Sequence, residues 1–188
     1  MSLTLKMVTE ELSRVCKELD IPNEHIRICA GGAAMIHGLR ESTMDIDVDV
    51  LDASTWNKLL LSQNPISRYE PLNQMSGAIV VSIGNIDFHY WDGAAQYNVN
   101  ICGSGFVVQT KPELLEMRIR LGRYKDLAEI VNLLPICGDT LTVEVVSIIP
   151  ILLSRITGSI RNDIPDIKPR KKVLEQLDFI LQWYKNFI

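Results

Sequence analysis

Histidine and cysteine are scarce in this chain, three and four among 188 residues. Cys16, Cys29, Cys102 and Cys137 are widely spaced and form no Cys-x-x-Cys pair. They fit buried thiols in a reducing compartment better than a disulfide framework or a zinc site. An excess of base is also missing. Nineteen Lys and Arg face 23 Asp and Glu, for a net charge of -4 and a pI near 5.4. This argues against broad, non-specific binding to nucleic acid or anionic membrane, while leaving room for a local basic patch. No apolar run approaches the roughly 20 residues that span a bilayer. The first twenty residues are amphipathic and carry acids, unlike a signal or transit peptide. A cytoplasmic protein with no membrane partner is expected. Repeats and low-complexity segments are absent as well. What is left, at 47% hydrophobic and 22% charged, is an ordinary globular composition. The length suits one substantial core, or one domain with a smaller appended one.

The most informative stretch is Gly31 to Val50, GGAAMIHGLRESTMDIDVDV. Asp45, Asp47 and Asp49 share one parity, and Ile46, Val48 and Val50 share the other. On a strand the three carboxylates therefore lie on one side and the apolar residues on the other. Carboxylates two residues apart are only about 6–7 Å apart at the backbone. Such like charges repel unless water or a cation lies between them, and magnesium takes oxygen ligands of this kind. The glycine pair just upstream opens a short helix, where an anionic phosphate would dock.

The rest of the chain places this stretch. Leu5, Val8, Leu12, Val15, Cys16 and Leu19 recur at helical spacing before Pro22. A strand is expected from Ile26 to Ala30, a brief helix to Gly38, and the acidic strand from Met44 to Leu51. Ser54 or Thr55 is read as the cap of a helix through Leu61. Ala78 to Ile83 and Ile86 to Trp91 are β-rich runs divided by Gly84-Asn85, a hairpin signal. Phe106 to Gln109 reads as a further strand. Thr110-Lys111-Pro112-Glu113 then looks like a capping box, and helical pattern dominates onward. Helices are expected at 111–122 and 124–134, beyond 140 with an interruption near Pro150, and after Pro169. The last should bury Leu174, Leu177, Ile180, Leu181, Tyr184 and Phe187. The fold class is thus α+β: a small mixed sheet with helices over residues 1–109, then a helical region over 110–188.

A two-metal phosphoryl-transfer site needs more acid than one strand supplies, because its ions sit about 3.5–4 Å apart and share ligands. Asp87 is the candidate, a single carboxylate between bulky apolar residues on a predicted central strand. Buried alone it would be costly, whereas facing the side of Asp45 and Asp47 explains it. An exposed edge position beside His89 is the simpler alternative. His37 reads as a packed histidine, and His89 shares the parity of Asp87 without being assigned to the site. Arg40 and Thr43 flank the strand entry and suit phosphate, unless Arg40 pairs with Glu41. Arg118, Arg120, Arg123 and Lys125 form the densest basic stretch. Arg118 and Lys125 would share a helical face if Gly122 did not break the helix. That face would hold nucleotide phosphates or a nucleic-acid acceptor, or simply be solvated. Asp126 is read as a cap of the second helix.

Gly-Gly, a short helix, Asp-x-Asp on a strand and a third acid on a later strand resemble the nucleotidyltransferase superfamily that includes DNA polymerase beta. More narrowly, GGAAMIHGLRESTMDIDV is similar to the small bacterial and phage branch containing AbiEii-type toxins. That branch typically shows Gly-Gly-x-Ala, then Gly-x-Arg-x-Thr or a close variant, then Asp-Ile-Asp. TKPELLEMRIRLGRYKDLAEIVNLL resembles its helix pair. The resemblance covers residues 27–50, 79–91 and 106–134. Three positions depart from it: Gly32 stands where the wider superfamily often has serine, Arg118 where relatives often have lysine, and Asp49 where they are often apolar. Residues beyond 138 carry no resemblance.

This resemblance implies a nucleotidyltransferase core in which Asp45 and Asp47 bind two magnesium ions, with manganese as the alternative ion. Asp87 would complete the metal site and help activate the attacking hydroxyl. Gly31 and Gly32 would hold the triphosphate through backbone N–H groups, assisted by Arg40, Thr43, Arg118, Arg123 and Lys125. The implied activity moves a nucleoside monophosphate from an NTP, such as ATP, to a hydroxyl on tRNA, protein or a small molecule, releasing pyrophosphate. A toxin with an antitoxin partner is one form this would take. The rival is a non-catalytic nucleotide-binding or protein-interaction module that keeps the fold.

Overall fold

The computed structural model describes residues 2–62, 66–70, 78–90, 105–163 and 167–188. The chain divides into two compact units, Met1–Thr110 and Lys111–Ile188. Its fold class is α+β, a mixed sheet with helices followed by a helical region. No helix among the described residues is long and apolar enough to cross a membrane.

In the first unit, α1 (Leu5–Glu18) follows from the spacing of Val8, Leu12, Val15 and Cys16, all buried. Thr4 caps it, its hydroxyl accepting the Met7 N–H at 3.4 Å. The strands are β1 (Ile26–Ile28), β2 (Ile46–Val50), β3 (Ile66–Glu70), β4 (Ala78–Ile83), β5 (Ile86–Tyr90) and β6 (Val107–Val108). They lie in the order β3-β4-β5-β2-β1-β6. β2 runs parallel to β5 and antiparallel to β1; β1 runs parallel to β6. Expectation had no strand at Ile66–Glu70, and Trp91 and Cys102 lie outside the described residues.

Register divides the sheet into two faces. Ile28, Val48 and Phe88 are partners along one row, and Ile46 and Ile86 along another. All five are fully buried against a core that includes Leu12, Val15 and Leu59. Burying one such side chain contributes roughly 1.5–3 kcal/mol, so a one-residue slip of β2 would expose its apolar set and bury its carboxylates. Parity therefore holds the acids on the other face.

The connection into α3 (Ala53–Leu61) differs from expectation. That helix is capped by Asp52, not by Ser54 or Thr55. Asp52 Oδ1 accepts the Ser54 and Thr55 N–H groups, both at 3.0 Å. Its second oxygen, Oδ2, lies 2.9 Å from His25 Nδ1. Burial pushes the Asp52 pKa up, but the bonds from Ser54 and Thr55 and the His25 charge outweigh it, holding the carboxyl at about 2 against an ordinary 3.8. Because the folded value is depressed, the cap's contribution is present above pH 3.8 and lost as pH falls towards 2. Asp52→Ala is expected to cost about 1 kcal/mol, and at most about 2 kcal/mol, at neutral pH. Urea denaturation at stepped pH should show the wild-type advantage shrinking across that acidic window.

The second unit contains α4 (Lys111–Leu121), α5 (Leu127–Cys137), α6 (Val143–Asp163) and α7 (Ile167–Phe187). Gly122 ends α4 with φ +62°, and a 3₁₀ turn over Tyr124–Asp126 leads into α5. A continuous helical face from Arg118 to Lys125 therefore does not form. The expected interruption at Pro150 is absent, since α6 runs through it. Proline removes one hydrogen bond, to the Val146 carbonyl. Burial of Val146, Ile149 and Leu152 around that point offsets the loss. α7 begins before Pro169, which falls in its first turn, where no N–H is needed. It buries Val173, Leu177 and Ile180, whereas Leu174 and Phe187, expected inside, are exposed.

Candidate active site

The polar face of the sheet collects the chemistry. Asp47 and Asp87 are register partners on the neighbouring parallel strands β2 and β5. Ser82 on β4 is the register partner of Asp87 on its other side. A row Ser82–Asp87–Asp47 thus crosses three adjacent strands. The hairpin through Gly84-Asn85 sets this alignment, because Ile83 opposes Ile86 and Ser82 therefore opposes Asp87. The Asn85 carbonyl accepts the Ile46 N–H at 2.9 Å, which pins the hairpin to the start of the acidic strand.

Each carboxylate has a side-chain neighbour. The Ser82 hydroxyl donates to Asp87 Oδ1 at 2.6 Å. His89 Nε2 lies 3.6 Å from Asp47 Oδ1. Burial lowers the basicity of His89, but the contact with Asp47 and the charges of Asp47, Asp49 and Asp87 more than compensate, so its pKa is raised. His89 belongs to the site, although its parity alone had not earned it a role.

Asp49 has a different position. It is nearly buried, and Arg27 donates to its Oδ2 from Nη2 at 2.6 Å and from Nε at 3.1 Å. The Cys29 thiol donates to the same oxygen at 3.0 Å. Burial pushes the Cys29 thiol well above its ordinary value, and the Asp49 charge adds to this. Asp49 is thus neutralised within the sheet by its register partner Arg27. Asp45 precedes β2 and is exposed.

The glycine pair opens α2 (Ala30–Ile36), a helix of seven residues. Both glycines are buried, and they serve different neighbours. A Cβ on Gly32 would meet Ile28 Cγ2 at 2.6 Å, so this glycine lets the helix pack on β1. A Cβ on Gly31 would collide with the Thr43 hydroxyl and come within 3.4 Å of Arg40 Nη1. Gly31, Arg40 and Thr43 are therefore brought together, with Thr43 held by a β-bridge to Leu3. Ala30 takes the left-handed conformation, φ +46°, and its N–H goes to Gln109 Oε1 at 3.0 Å. His37 is half-buried, with Nε2 2.7 Å from the Gln109 carbonyl.

Arg118, Arg123 and Lys125 lie in the helical unit. Arg118 is 2% exposed. Its Nε donates to Glu129 Oε2 at 2.7 Å, and its Nη1 is 3.3 Å from Asp126 Oδ1. Asp126 occupies the N-cap position of α5 without a side-chain cap bond. Instead it also accepts from Arg123 Nε at 2.6 Å. The expectation of a phosphate-binding Arg118 meets a buried, neutralised side chain. Lys125 is exposed.

Ser82, Arg27 and Gln109 escaped sequence reasoning. Ser82 had a readable signal, since counting back from the Gly84-Asn85 turn pairs it with Asp87. Arg27 and Gln109 depend on pairings between distant strands.

Magnesium is characteristically bound by one or two carboxylates completed by waters and substrate phosphates, not by an all-protein cage. Asp47 and Asp87 fit that description by ligand chemistry and by register. Among the described residues no group of three or more His, Cys, Asp and Glu side chains is gathered to hold a metal. The site defined by this sheet is therefore a carboxylate pair on adjacent parallel strands. Compared with protein-family models, curated proteins and solved structures, the chain shows no match.

Proposed function

We propose that this protein is a magnesium-dependent nucleotidyltransferase, moving a nucleoside monophosphate from an NTP to a hydroxyl acceptor. The observation that carries the reading is the register pairing of Asp47 with Asp87 on one face of central strands. Paired acids beside a buried glycine turn suit a substrate that is itself a metal-bridged polyphosphate. Asp47 and Asp87 would hold a magnesium ion, with Asp45 as a further proposed ligand, and the ion would supply neutralisation of the charge that develops on the phosphate oxygens.

The chain's own residues do the rest. Asp87 takes the proton from the acceptor hydroxyl as that oxygen attacks the α-phosphorus. The new O–P bond forms as the bond to the β-phosphate oxygen breaks, and pyrophosphate leaves. Gly31, Arg40 and Thr43 hold the phosphates; Gly32 serves packing. Arg27 neutralises Asp49, so that repulsion within β2 falls on Asp47 less heavily. The acceptor is a tRNA, a protein or a small molecule. A toxin with an antitoxin partner is one form such an enzyme would take.

The test is NTP binding with and without magnesium. Wild-type protein should bind an NTP more tightly with the ion, and Asp47→Asn should remove that gain. Metal-independent binding that is unchanged in the variant would overturn the enzymatic reading in favour of a non-catalytic nucleotide-binding module.

A further inference from the structure

We propose that Ser82 is the positioning residue of the carboxylate pair, fixing Asp87 for a divalent metal ion by a hydrogen bond from the next strand. The proposal rests on the reading of Asp47 and Asp87 as a metal-binding pair. Ser82 and Asp87 are Cα partners across the β4–β5 hairpin, so their side chains share a face. The Oγ to Oδ1 distance of 2.6 Å is that of a charge-assisted hydrogen bond. Asp87 in turn is the Cα partner of Asp47, and two like charges on adjacent strands push each other's rotamers apart. A donor on the far side of Asp87 opposes that swing and holds the carboxylate plane in one orientation.

The neighbouring row shows why the task falls to Ser82. There Val80 opposes His89, and His89 opposes Asp49. His89 reaches back to Asp47, and Arg27 is taken by Asp49. The Ser82 hydroxyl is thus the β4 group aligned with Asp87. Groups that orient a metal-binding carboxylate are typically worth 10–100-fold in metal affinity.

The experiment is a manganese titration of the full chain without nucleotide, followed by the electron paramagnetic resonance signal of free Mn2+. Wild type is compared with Asp87→Asn, Ser82→Ala, Ser82→Val and Ser82→Thr, each checked for folding by circular dichroism. Valine and threonine have one shape and differ in the hydroxyl, so their comparison holds if alanine fails to fold. The expected result is about tenfold weaker binding for the alanine and valine variants, with threonine close to wild type. If Ser82→Val binds manganese like wild type while Asp87→Asn does not, the positioning role is overturned and the metal site stands. Equal weakening in valine and threonine variants also overturns it, because the hydroxyl would then be irrelevant. A wild-type protein that binds no manganese removes the metal-site reading, and the role of Ser82 with it.

Discussion

Asp47→Asn and Asp87→Asn are each expected to lower transfer of an α-labelled nucleotide about a thousandfold, below detection on a gel. Metal-assisted stabilisation of transition-state charge is worth several kcal/mol, and about 4 kcal/mol corresponds to a factor of a thousand. The substitutions conserve shape and remove charge, so the fold should survive. Asp87→Asn should leave stability within about 0.5 kcal/mol of wild type or slightly above it, because the pair no longer repels. The Ser82 hydroxyl can still donate to the amide oxygen that replaces Oδ1. The measurement incubates each protein with magnesium or manganese, labelled NTPs, total RNA and cell protein. A labelled band lost in both variants identifies the acceptor class. Undiminished labelling by a folded Asp47→Asn protein would sink the assignment.

Arg118→Ala is expected to destabilise the helical unit by about 3–5 kcal/mol, the cost of breaking a buried ion pair from one side. Asp126 and Glu129 are themselves almost wholly buried. Truncation would leave Glu129 without the 2.7 Å bond from Nε, and Asp126 with Arg123 as its remaining cation in the cluster. Lysine should recover only part of the loss, because one ammonium cannot reproduce a planar guanidinium addressing two acids. A double variant, Arg118→Met with Glu129→Leu, should regain much of it, since an apolar replacement removes the desolvation cost on both sides. Urea denaturation of the full chain checks all three. A cost below about 1 kcal/mol for Arg118→Ala would mean that the cluster is energetically neutral.

These two sites show what the chain discloses in one dimension. Alternation in IDVDV was enough to put Asp47 and Asp49 on one face, although Asp45 falls before the strand, and the Gly84-Asn85 turn was enough to align β4 with β5. Both are short-range signals, and both follow from the two-residue period of a strand. The partner of Asp49 was not legible, because Arg27 reaches it only through antiparallel pairing of β1 with β2. The basic stretch misled for a related reason. Periodicity shows which residues share a face but not whether counter-charges bury it, and the counter-charges come from beyond the break at Gly122. In DASTW three capping side chains, Asp52, Ser54 and Thr55, competed, and the one immediately outside the helix won because it reaches two N–H groups at once. Pro150 illustrates the limit of breaker signals, since apolar burial on both sides outweighed one missing hydrogen bond. Ile66–Glu70 lacks the apolar alternation that would mark it as a strand.

The bond between Ala30 and Gln109 also sets a schedule. It joins residues 79 positions apart, and without it the left-handed turn at Ala30 has no partner for its N–H. Chains emerge at about 5–20 residues per second, so the glycine turn waits roughly 4–16 s for the carboxamide that holds it. Asp47 likewise waits roughly 2–8 s for Asp87. During that interval β2 has β1 as its available neighbour, and its other edge is open. Asp47 on β2 then acts as a guard, since a repelling charge discourages pairing with another nascent strand. The Asp47 carboxylate that we assign to metal binding in the finished sheet thus protects the unfinished one.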